Sequence, residues 1–326
     1  MFMGRLLEIK NISTHFETDK GTIRAVDGVD LVLNHGETIG IVGESGCGKT
    51  VLALSIMRLI PSPPGRIIPG NIFFNGVDLL SLDKDNMRKI RGRDISMIFQ
   101  EPMTSLNPVL RIGEQISEII RLHKGLGRKE ALENAIEALQ LVGMPSPERI
   151  VSNYPHQLSG GMRQRVMIAM ALCCGPKLML ADEPTTALDV TIQTQIIDLI
   201  NTSKEDIGTS VILITHDLGI IAEAAQFVAV MYTGKIVESA SVNNIFSAPL
   251  HPYTVGLMDS IPAIKHAYKQ DEYLKVIPGM VPSLYDLPEG CSFQDRCSRV
   301  MKICRETEPR LREKSPGHMV RCWLYE

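Results

Sequence analysis

The chain has 326 residues, 44% of them hydrophobic and 22% charged, with a formal net charge of −3. These values are close to the averages for globular proteins, so they exclude wholesale disorder and fibrous repeats. The small negative charge gives no electrostatic reason to expect a nucleic-acid-binding protein. The longest unbroken apolar run, residues 166–174, is too short to cross a bilayer, and Glu8 and Lys10 stand where a signal peptide needs apolar residues. We therefore expect a cytoplasmic chain of about two domains, or of one large domain with an appendix.

Alternating apolar and turn residues in the first forty positions predict small antiparallel strands, with turns at Asp27-Gly28 and His35-Gly36. Continuous apolar runs farther along predict strands that are buried on both faces. These runs are residues 39–42, 96–99, 178–181 and 211–215.

Helical periodicity appears in three places. After the first buried strand, a helix is predicted in which Leu52, Ile56 and Leu59 share one face. Between the second and third buried strands, two helices are predicted, each with one apolar face. The first of these faces is formed by Ile116, Ile119 and Ile120, and the second by Leu132, Ile136 and Leu139. The pattern predicts an α/β core interrupted by a helical subdomain at about residues 105–165.

Residues 43–50, with the sequence GESGCGKT, fit the pattern G-x-x-x-x-G-K-[ST] between a predicted strand and a predicted helix. In such a phosphate-binding loop, or P-loop, backbone N–H groups and the positive end of the helix surround phosphate oxygens. We expect Lys49 to reach the β- and γ-phosphates and the Thr50 hydroxyl to bind Mg²⁺. The other loop residues predicted to contact the nucleotide are Gly43, Ser45, Gly46, Cys47 and Gly48.

The buried strand at 178–181 ends in two adjacent carboxylates, Asp182 and Glu183. Successive side chains diverge at the end of a strand, so one carboxylate can serve a metal ion while the other faces a water molecule. Asp182 is the predicted Mg²⁺ partner, acting through water, and Glu183 is the predicted general base for hydrolysis.

Residues 158–165, LSGGMRQR, resemble the signature motif of ABC-transporter nucleotide-binding domains and stand about twenty residues before the acidic strand, where that family has it. The resemblance implies an α/β fold with a P-loop NTPase (RecA-like) core, an antiparallel β-subdomain, an inserted α-helical subdomain and hydrolysis of ATP to ADP and phosphate. In this family two subunits pair head to tail, so that each ATP lies between the P-loop of one chain and the signature motif of the other. The residues expected to contact ATP in trans are Ser159, Gly160, Gly161, Gln164 and Asp189.

Other family motifs follow in order. Gln100 resembles the glutamine of the Q-loop, which contacts Mg²⁺ and senses the membrane subunit, and residues 187–189 resemble the D-loop at the dimer interface. His216 resembles the switch histidine that contacts the γ-phosphate. The family stacks adenine on an aromatic residue upstream of the P-loop, for which Phe16 is the nearest candidate; a place for Phe16 in the core of the β-subdomain is the alternative.

The C-terminal segment resembles that of the ATP-binding subunits of bacterial dipeptide and oligopeptide importers. Its His-Pro-Tyr-Thr at 251–254, its Gly-Met-Val-Pro-Ser-Leu at 279–284 and its four cysteines carry the resemblance. We therefore expect a nucleotide-binding domain at residues 1–247 and an importer-type, cysteine-rich extension at 248–326.

The four cysteines, Cys291, Cys297, Cys304 and Cys322, suit either tetrahedral Zn²⁺ or an iron–sulfur cluster. Their wide spacing lacks the close pairs of zinc ribbons and favours a larger cluster, and the resemblance implies [4Fe–4S]. Zn²⁺ is the alternative, and free thiols are a third. Arginines 296, 299 and 321 are candidates for offsetting the negative charge of such a cluster.

The resemblance implies a peripheral ATPase subunit at the cytoplasmic face of the inner membrane that energises peptide import. Its expected partners are a second ATP-binding subunit (a homologue or a second copy), two transmembrane permeases and, indirectly, an extracytoplasmic peptide-binding protein. Nickel complexes are an alternative cargo. The alternative functions are a soluble ABC ATPase of DNA repair or translation and a regulatory ATPase that uses the cysteines as a sensor.

Overall fold

The computed structural model describes residues 4–68, 70–100, 105–186, 190–260 and 276–326. Its strands are β1 (Arg5–Thr18), β2 (Gly21–Asn34), β3 (Thr38–Val42), β4 (Gly65–Ile68), β5 (Asn71–Phe74), β6 (Val77–Asp78), β7 (Ile95–Ile98), β8 (Leu178–Asp182), β9 (Ser210–Ile214), β10 (Phe227–Tyr232), β11 (Lys235–Ser241), β12 (Arg312–Ser315) and β13 (His318–Val320). Its α-helices are α1 (Lys49–Ile56), α2 (Lys84–Ile90), α3 (Ile112–Lys124), α4 (Arg128–Leu141), α5 (Pro147–Ile150), α6 (Gly160–Leu172), α7 (Val190–Ile207), α8 (Leu218–Ala224), α9 (Val242–Ser247), α10 (Pro252–Asp259) and α11 (Lys302–Glu306).

The chain forms two compact units that are discontinuous in sequence. The first lies within residues 1–7, 32–38 and 73–214, and the second within 8–31, 39–72 and 215–326. Within the described residues, no helix combines the length and the apolar composition needed to span a bilayer.

In the first unit, β8 pairs in parallel with β7 on one side and with β9 on the other. Every residue of β8 and β9 is buried, so the prediction of strands covered on both faces is confirmed for these two. A strand in a parallel sheet is covered by protein on both faces, so its sequence is apolar at successive positions rather than at alternate ones. The carboxyl end of β8, which carries the acidic pair, pairs in register with the end of β9.

Three helices of the first unit, α3, α4 and α6, pack against one another, and α6 also packs against β7. In α3, Ile116 and Ile120 are fully buried, as its apolar period predicts. The prediction for α4 was wrong at Leu132, which is 40% exposed. Alanines form most of the buried face of α4 instead, because a neighbouring helix can approach small side chains closely. The buried residues of α4 are Ala131, Ala135, Ala138 and Leu139.

In the second unit, β3 pairs in parallel with β10, and β10 pairs with the antiparallel strand β11. The C-terminal strand β13 then pairs with β11, and β12 with β13. The end of the chain therefore extends the sheet that contains β3, the strand leading into the P-loop. On a separate sheet, β1 pairs with the antiparallel strand β4.

Two local predictions in the second unit were wrong. The Asp27-Gly28 dipeptide lies inside β2 rather than in a turn. Gly28 has a φ of 63°, but the strand continues through it, and its N–H donates to Ser13 Oγ at 2.9 Å. Helix α1 ends at Ile56, so Leu59 lies beyond the helix and is 38% exposed.

Candidate functional site

The P-loop has the backbone of a phosphate cradle. It joins β3 to α1, and its glycines at 43, 46 and 48 have φ angles of 152°, 79° and 102°, which side-chain-bearing residues rarely adopt. Two of these glycines also have no room for a side chain. A Cβ atom at Gly43 would collide with the carbonyl oxygen of Met231, and one at Gly48 with that of Ala25. The motif glycines are therefore required by the fold of the loop itself.

The ammonium group of Lys49 lies across this loop. Its Nζ donates to the carbonyl oxygens of Gly43 at 2.7 Å and Glu44 at 3.0 Å, and the residue is only 5% exposed. A phosphate placed in the loop offers stronger, charged acceptors to the same donor. Cys47 is fully buried, and burial raises the pKa of its thiol. The thiol of Cys47 therefore stays protonated, and the backbone N–H of Cys47 donates to the Glu44 carbonyl oxygen at 3.3 Å within the loop.

The acidic pair lies at the end of β8. Asp182 is buried, and Glu183 follows it with a φ of 47°, a left-handed conformation that is uncommon outside glycine. The Glu183 carboxylate accepts hydrogen bonds from Gln100 Nε2 at 3.1 Å and from Thr186 Oγ1 at 2.8 Å. The first unit thus brings together the predicted Mg²⁺ contact Gln100 and the predicted general base Glu183, from positions 83 residues apart.

The signature motif begins helix α6. Ser159 is its N-cap, accepting a hydrogen bond on Oγ from the N–H of Met162 at 3.3 Å. Ser159 and Gly160 are exposed, and a Cβ atom at Gly160 would meet nothing within 4 Å. Gln164 is buried instead, and its Nε2 donates to the carbonyl oxygen of Pro184 at 2.5 Å. The exposed residues of the motif are the ones available to another molecule.

His216, in the second unit, is exposed in the loop between β9 and α8. The next residue, Asp217, caps α8 by accepting hydrogen bonds from Gly219 N–H at 2.8 Å and Ile220 N–H at 3.3 Å. Asp217 also donates its own N–H to Thr215 Oγ1 at 3.0 Å. These bonds fix the backbone on both sides of the histidine. The D-loop residue Asp189 lies outside the described residues.

Phe16 is half-buried on β1, opposite Gly65 of β4. A Cβ atom at position 65 would lie 2.9 Å from the Phe16 ring atom Cε1, so the glycine makes space for the ring. Both readings of Phe16, as an adenine platform and as a core residue, stay predictions.

The four C-terminal cysteines line one pocket, together with His251 and Phe293. Burial, with a smaller contribution from the neighbouring cysteines, raises the pKa of Cys291 to about 12 and that of Cys322 to about 11. However, no group of three or more His, Cys, Asp or Glu side chains is arranged to hold a metal ion within the described residues, which include all four cysteines. The predicted metal cluster is therefore not confirmed, although the four residues do converge.

Arg296 is not directed to the cysteines as expected. Its two terminal nitrogens bind the carboxylate of Glu44 in the P-loop, at 2.6 and 3.0 Å. Sequence reasoning missed Glu44, which occupies a variable position of the P-loop pattern, and Tyr253, whose hydroxyl accepts a hydrogen bond from Glu44 N–H at 2.8 Å. The His-Pro-Tyr motif was the only signal for Tyr253, and no role followed from it.

Comparison with known families gives two matches along the chain. A sequence model described as ABC transporter matches residues 26–186, and one described as the C-terminal region of oligopeptide/dipeptide transporters matches residues 237–304. The first includes the P-loop and the acidic pair. The second includes three of the four clustered cysteines.

Close relatives match nearly the full chain. The probable peptide ABC transporter ATP-binding protein y4tR of Sinorhizobium fredii is 52% identical over 98% of this chain and 94% of its own length. The oligopeptide transport ATP-binding protein AppD of Bacillus subtilis is 52% identical over 99% of this chain and 98% of its own length. These relatives do not support a soluble ATPase of DNA repair or translation.

Among solved structures, the ATP-binding cassette MJ0796, in a dimeric post-hydrolysis state with ADP and phosphate, superimposes with a TM-score of 0.65 at 28% identity. The match covers 72% of this chain and 98% of MJ0796. The predicted P-loop NTPase fold, ATPase class and importer-type family are confirmed by these comparisons. The chain belongs to the ABC ATPases and, within them, to the ATP-binding proteins of peptide ABC transporters.

Proposed function

We propose that this chain binds ATP at its P-loop and hydrolyses it to energise the import of dipeptides or oligopeptides. The observation that carries the proposal is the P-loop itself, with glycines in conformations that open the backbone to phosphate and a buried Lys49 already turned into the loop. The peptide transport roles in the names of the relatives support the cargo class.

The phosphate-binding roles follow from the loop. Backbone N–H groups of the P-loop other than that of Glu44, which donates to Tyr253, surround the phosphates together with the N-terminus of α1, and Lys49 neutralises the phosphate charge. Thr50, Asp182 and Gln100 are the proposed Mg²⁺ partners, because hydroxyl, carboxylate and amide oxygens are the ligands that this ion prefers. When bound, Mg²⁺ supplies charge neutralisation on the phosphate oxygens.

Glu183 is the proposed general base, which accepts a proton from the attacking water. Its carboxylate is held by Gln100 and Thr186, and its backbone adopts a left-handed conformation directly after β8. We propose that His216 contacts the γ-phosphate and Phe16 the adenine, as the family resemblance implies.

A second ATP-binding subunit completes each site. The proposed contributors in trans are Ser159, Gly160, Gly161, Gln164 and Asp189. The exposure of Ser159 and Gly160 supports this arrangement, and the dimeric state of MJ0796 gives a precedent. The buried amide of Gln164 favours an indirect role in which it holds the start of α6 against Pro184.

The proposed setting is the cytoplasmic face of the inner membrane, where two such subunits bind two transmembrane permeases. An extracytoplasmic peptide-binding protein delivers the peptide to those permeases. We propose residues 1–247 as the nucleotide-binding domain, with its helical subdomain at about 105–165. Residues 248–326 are proposed as the importer-type extension.

For the four cysteines we propose a [4Fe–4S] cluster, with Zn²⁺ as the alternative. Their convergence on one pocket supports it, because the ligands of one metal centre must lie close together in the folded chain. Anaerobically purified protein is expected to be brown and to contain iron and sulfide. Colourless protein with one zinc ion per chain would select the alternative, and protein without metal would refute both.

The catalytic assignment is tested with two variants. Lys49→Ala should lose ATP affinity, because no other residue of the loop supplies a buried cation to the phosphates. Glu183→Gln should keep ATP affinity and lose nearly all hydrolysis, measured as release of labelled γ-phosphate with Mg²⁺ and membrane partners present. Full hydrolysis by Glu183→Gln would contradict the role of general base.

A further inference from the structure

The C-terminal segment, residues 248–326, forms hydrogen bonds with Glu44 of the P-loop. The Glu44 carboxylate accepts hydrogen bonds from Nη1 and Nη2 of Arg296 at 2.6 and 3.0 Å. This is a bidentate ion pair, and the arginine side chain in it is only 4% exposed. Arg296 is itself fixed, because its Nε donates to the carbonyl oxygen of Pro278 at 2.9 Å and its Nη1 contacts the Tyr232 hydroxyl at 3.4 Å. A planar guanidinium bound on several sides allows the carboxylate little freedom.

Tyr253 holds the backbone of the same residue. Its hydroxyl accepts the N–H of Glu44 at 2.8 Å, and the side chain is fully buried. The Tyr253 ring packs against Tyr232, at 4.6 Å between ring centroids, and against Phe293, at 5.4 Å. Both the backbone and the side chain of Glu44 are thus fixed from the C-terminal segment.

Glu44 also faces the nucleotide site. Its carbonyl oxygen accepts Lys49 Nζ at 3.0 Å, and it directly follows Gly43, whose φ of 152° starts the loop. A loop that must present several N–H groups at once binds more tightly when it is held in that conformation before the ligand arrives. We infer that Arg296 and Tyr253 are positioning residues of the ATP site, which hold the P-loop in its phosphate-binding conformation through Glu44.

The place of Arg296 in the chain makes the C-terminal segment part of the ATP site. Arg296 ends a short 3₁₀ turn, Gln294–Arg296, between Cys291 and Cys297. Just before this turn, the N–H of Cys291 donates a hydrogen bond to the carbonyl oxygen of Cys304 in α11, at 2.8 Å. The fold of the cysteine-bearing segment therefore sets the position of the guanidinium that Glu44 meets.

The test is a double-mutant cycle with Arg296→Met, which keeps the apolar stem, and Glu44→Gln. This inference rests on the proposed binding of ATP at the P-loop, which Lys49→Ala tests separately. Each single variant should raise the Kd for ATP on the order of tenfold, and the KM for ATP should change more than kcat, because the variants loosen the loop before ATP arrives. The double variant should bind ATP no more weakly than either single variant, because both act through one contact.

Arg305→Ala is the matched control, because Arg305 belongs to the same segment but its ion pair with Asp295, at 3.8 Å, is exposed on both sides. It should leave the Kd for ATP unchanged. Tyr253→Phe, which removes one hydroxyl, serves if Arg296→Met fails to fold, and should raise the Kd severalfold. Wild-type affinity in folded Arg296→Met or Tyr253→Phe, or additive losses in the double variant, would overturn the inference. Loss of ATP affinity in Arg305→Ala would do so too.

Discussion

The chain has two glycine-rich segments that each open a helix, and they differ in how much of their surroundings the chain itself provides. The P-loop glycines adopt left-handed conformations, and two of them, Gly43 and Gly48, lie against backbone carbonyl groups. Arg296 and Tyr253 form hydrogen bonds with Glu44 of the same loop. At the signature motif, Gly160 and Gly161 have no positive φ, and Gly160 has open space beside it. The first segment is held in place by other parts of its own chain, whereas the second is exposed, as the proposed contact with a second subunit requires.

The largest expected effect is that of Gly48→Ala. An alanine there must adopt a φ near 102° and meets the Ala25 carbonyl oxygen, so we expect the free energy of unfolding to fall by about 3 kcal/mol. ATP binding by the isolated chain should also be lost. Urea denaturation and nucleotide titration measure these effects. Gly160→Ala is the matched control and should change neither, and wild-type behaviour of Gly48→Ala would contradict the difference between the two loops.

Gly160→Glu should separate binding from hydrolysis. The carboxylate enters open space in the first turn of α6, where the helix dipole favours a negative charge, so the fold and single-chain ATP affinity should be kept. In a dimer, the same carboxylate repels the phosphates of the ATP that is bound at the P-loop of the facing subunit, so hydrolysis should be lost. Thermal unfolding, nucleotide titration and phosphate release measure the three quantities. Hydrolysis at the wild-type rate would argue against a role for this surface.

Ser159→Ala should have a smaller effect on stability than Gly48→Ala. It removes the hydroxyl that accepts Met162 N–H at 3.3 Å, which is expected to lower the free energy of unfolding by about 1 kcal/mol. Asp83→Ala is a suitable comparison, because Asp83 caps α2 in the same way, accepting Asn86 N–H at 2.7 Å, far in sequence from the signature motif. Only Ser159→Ala should also reduce hydrolysis, and equal ATPase activity in the two variants would contradict a nucleotide role for Ser159.

The sequence predicted what is local. The P-loop, the acidic end of β8 and the buried strands are each encoded within a few consecutive residues, and their conformations followed from known backbone preferences. The exposure of Leu59 and Leu132 was not predicted, because helical periodicity alone does not determine where a helix ends or whether alanines can supply its buried face. The Arg296–Glu44 pair joins residues 252 positions apart, and no local pattern connects them.

The most direct test of the account is complementation between two inactive chains. Lys49→Ala removes the P-loop cation, and Gly160→Glu blocks the signature surface, so each variant alone should not hydrolyse ATP. In a mixed dimer, the intact P-loop of the Gly160→Glu chain faces the intact signature of the Lys49→Ala chain. An equal mixture should therefore recover about a quarter of the wild-type phosphate release, since half of the dimers are mixed and each has one intact site. A mixture as inactive as its components, with dimers present, would contradict an ATP site shared between two chains.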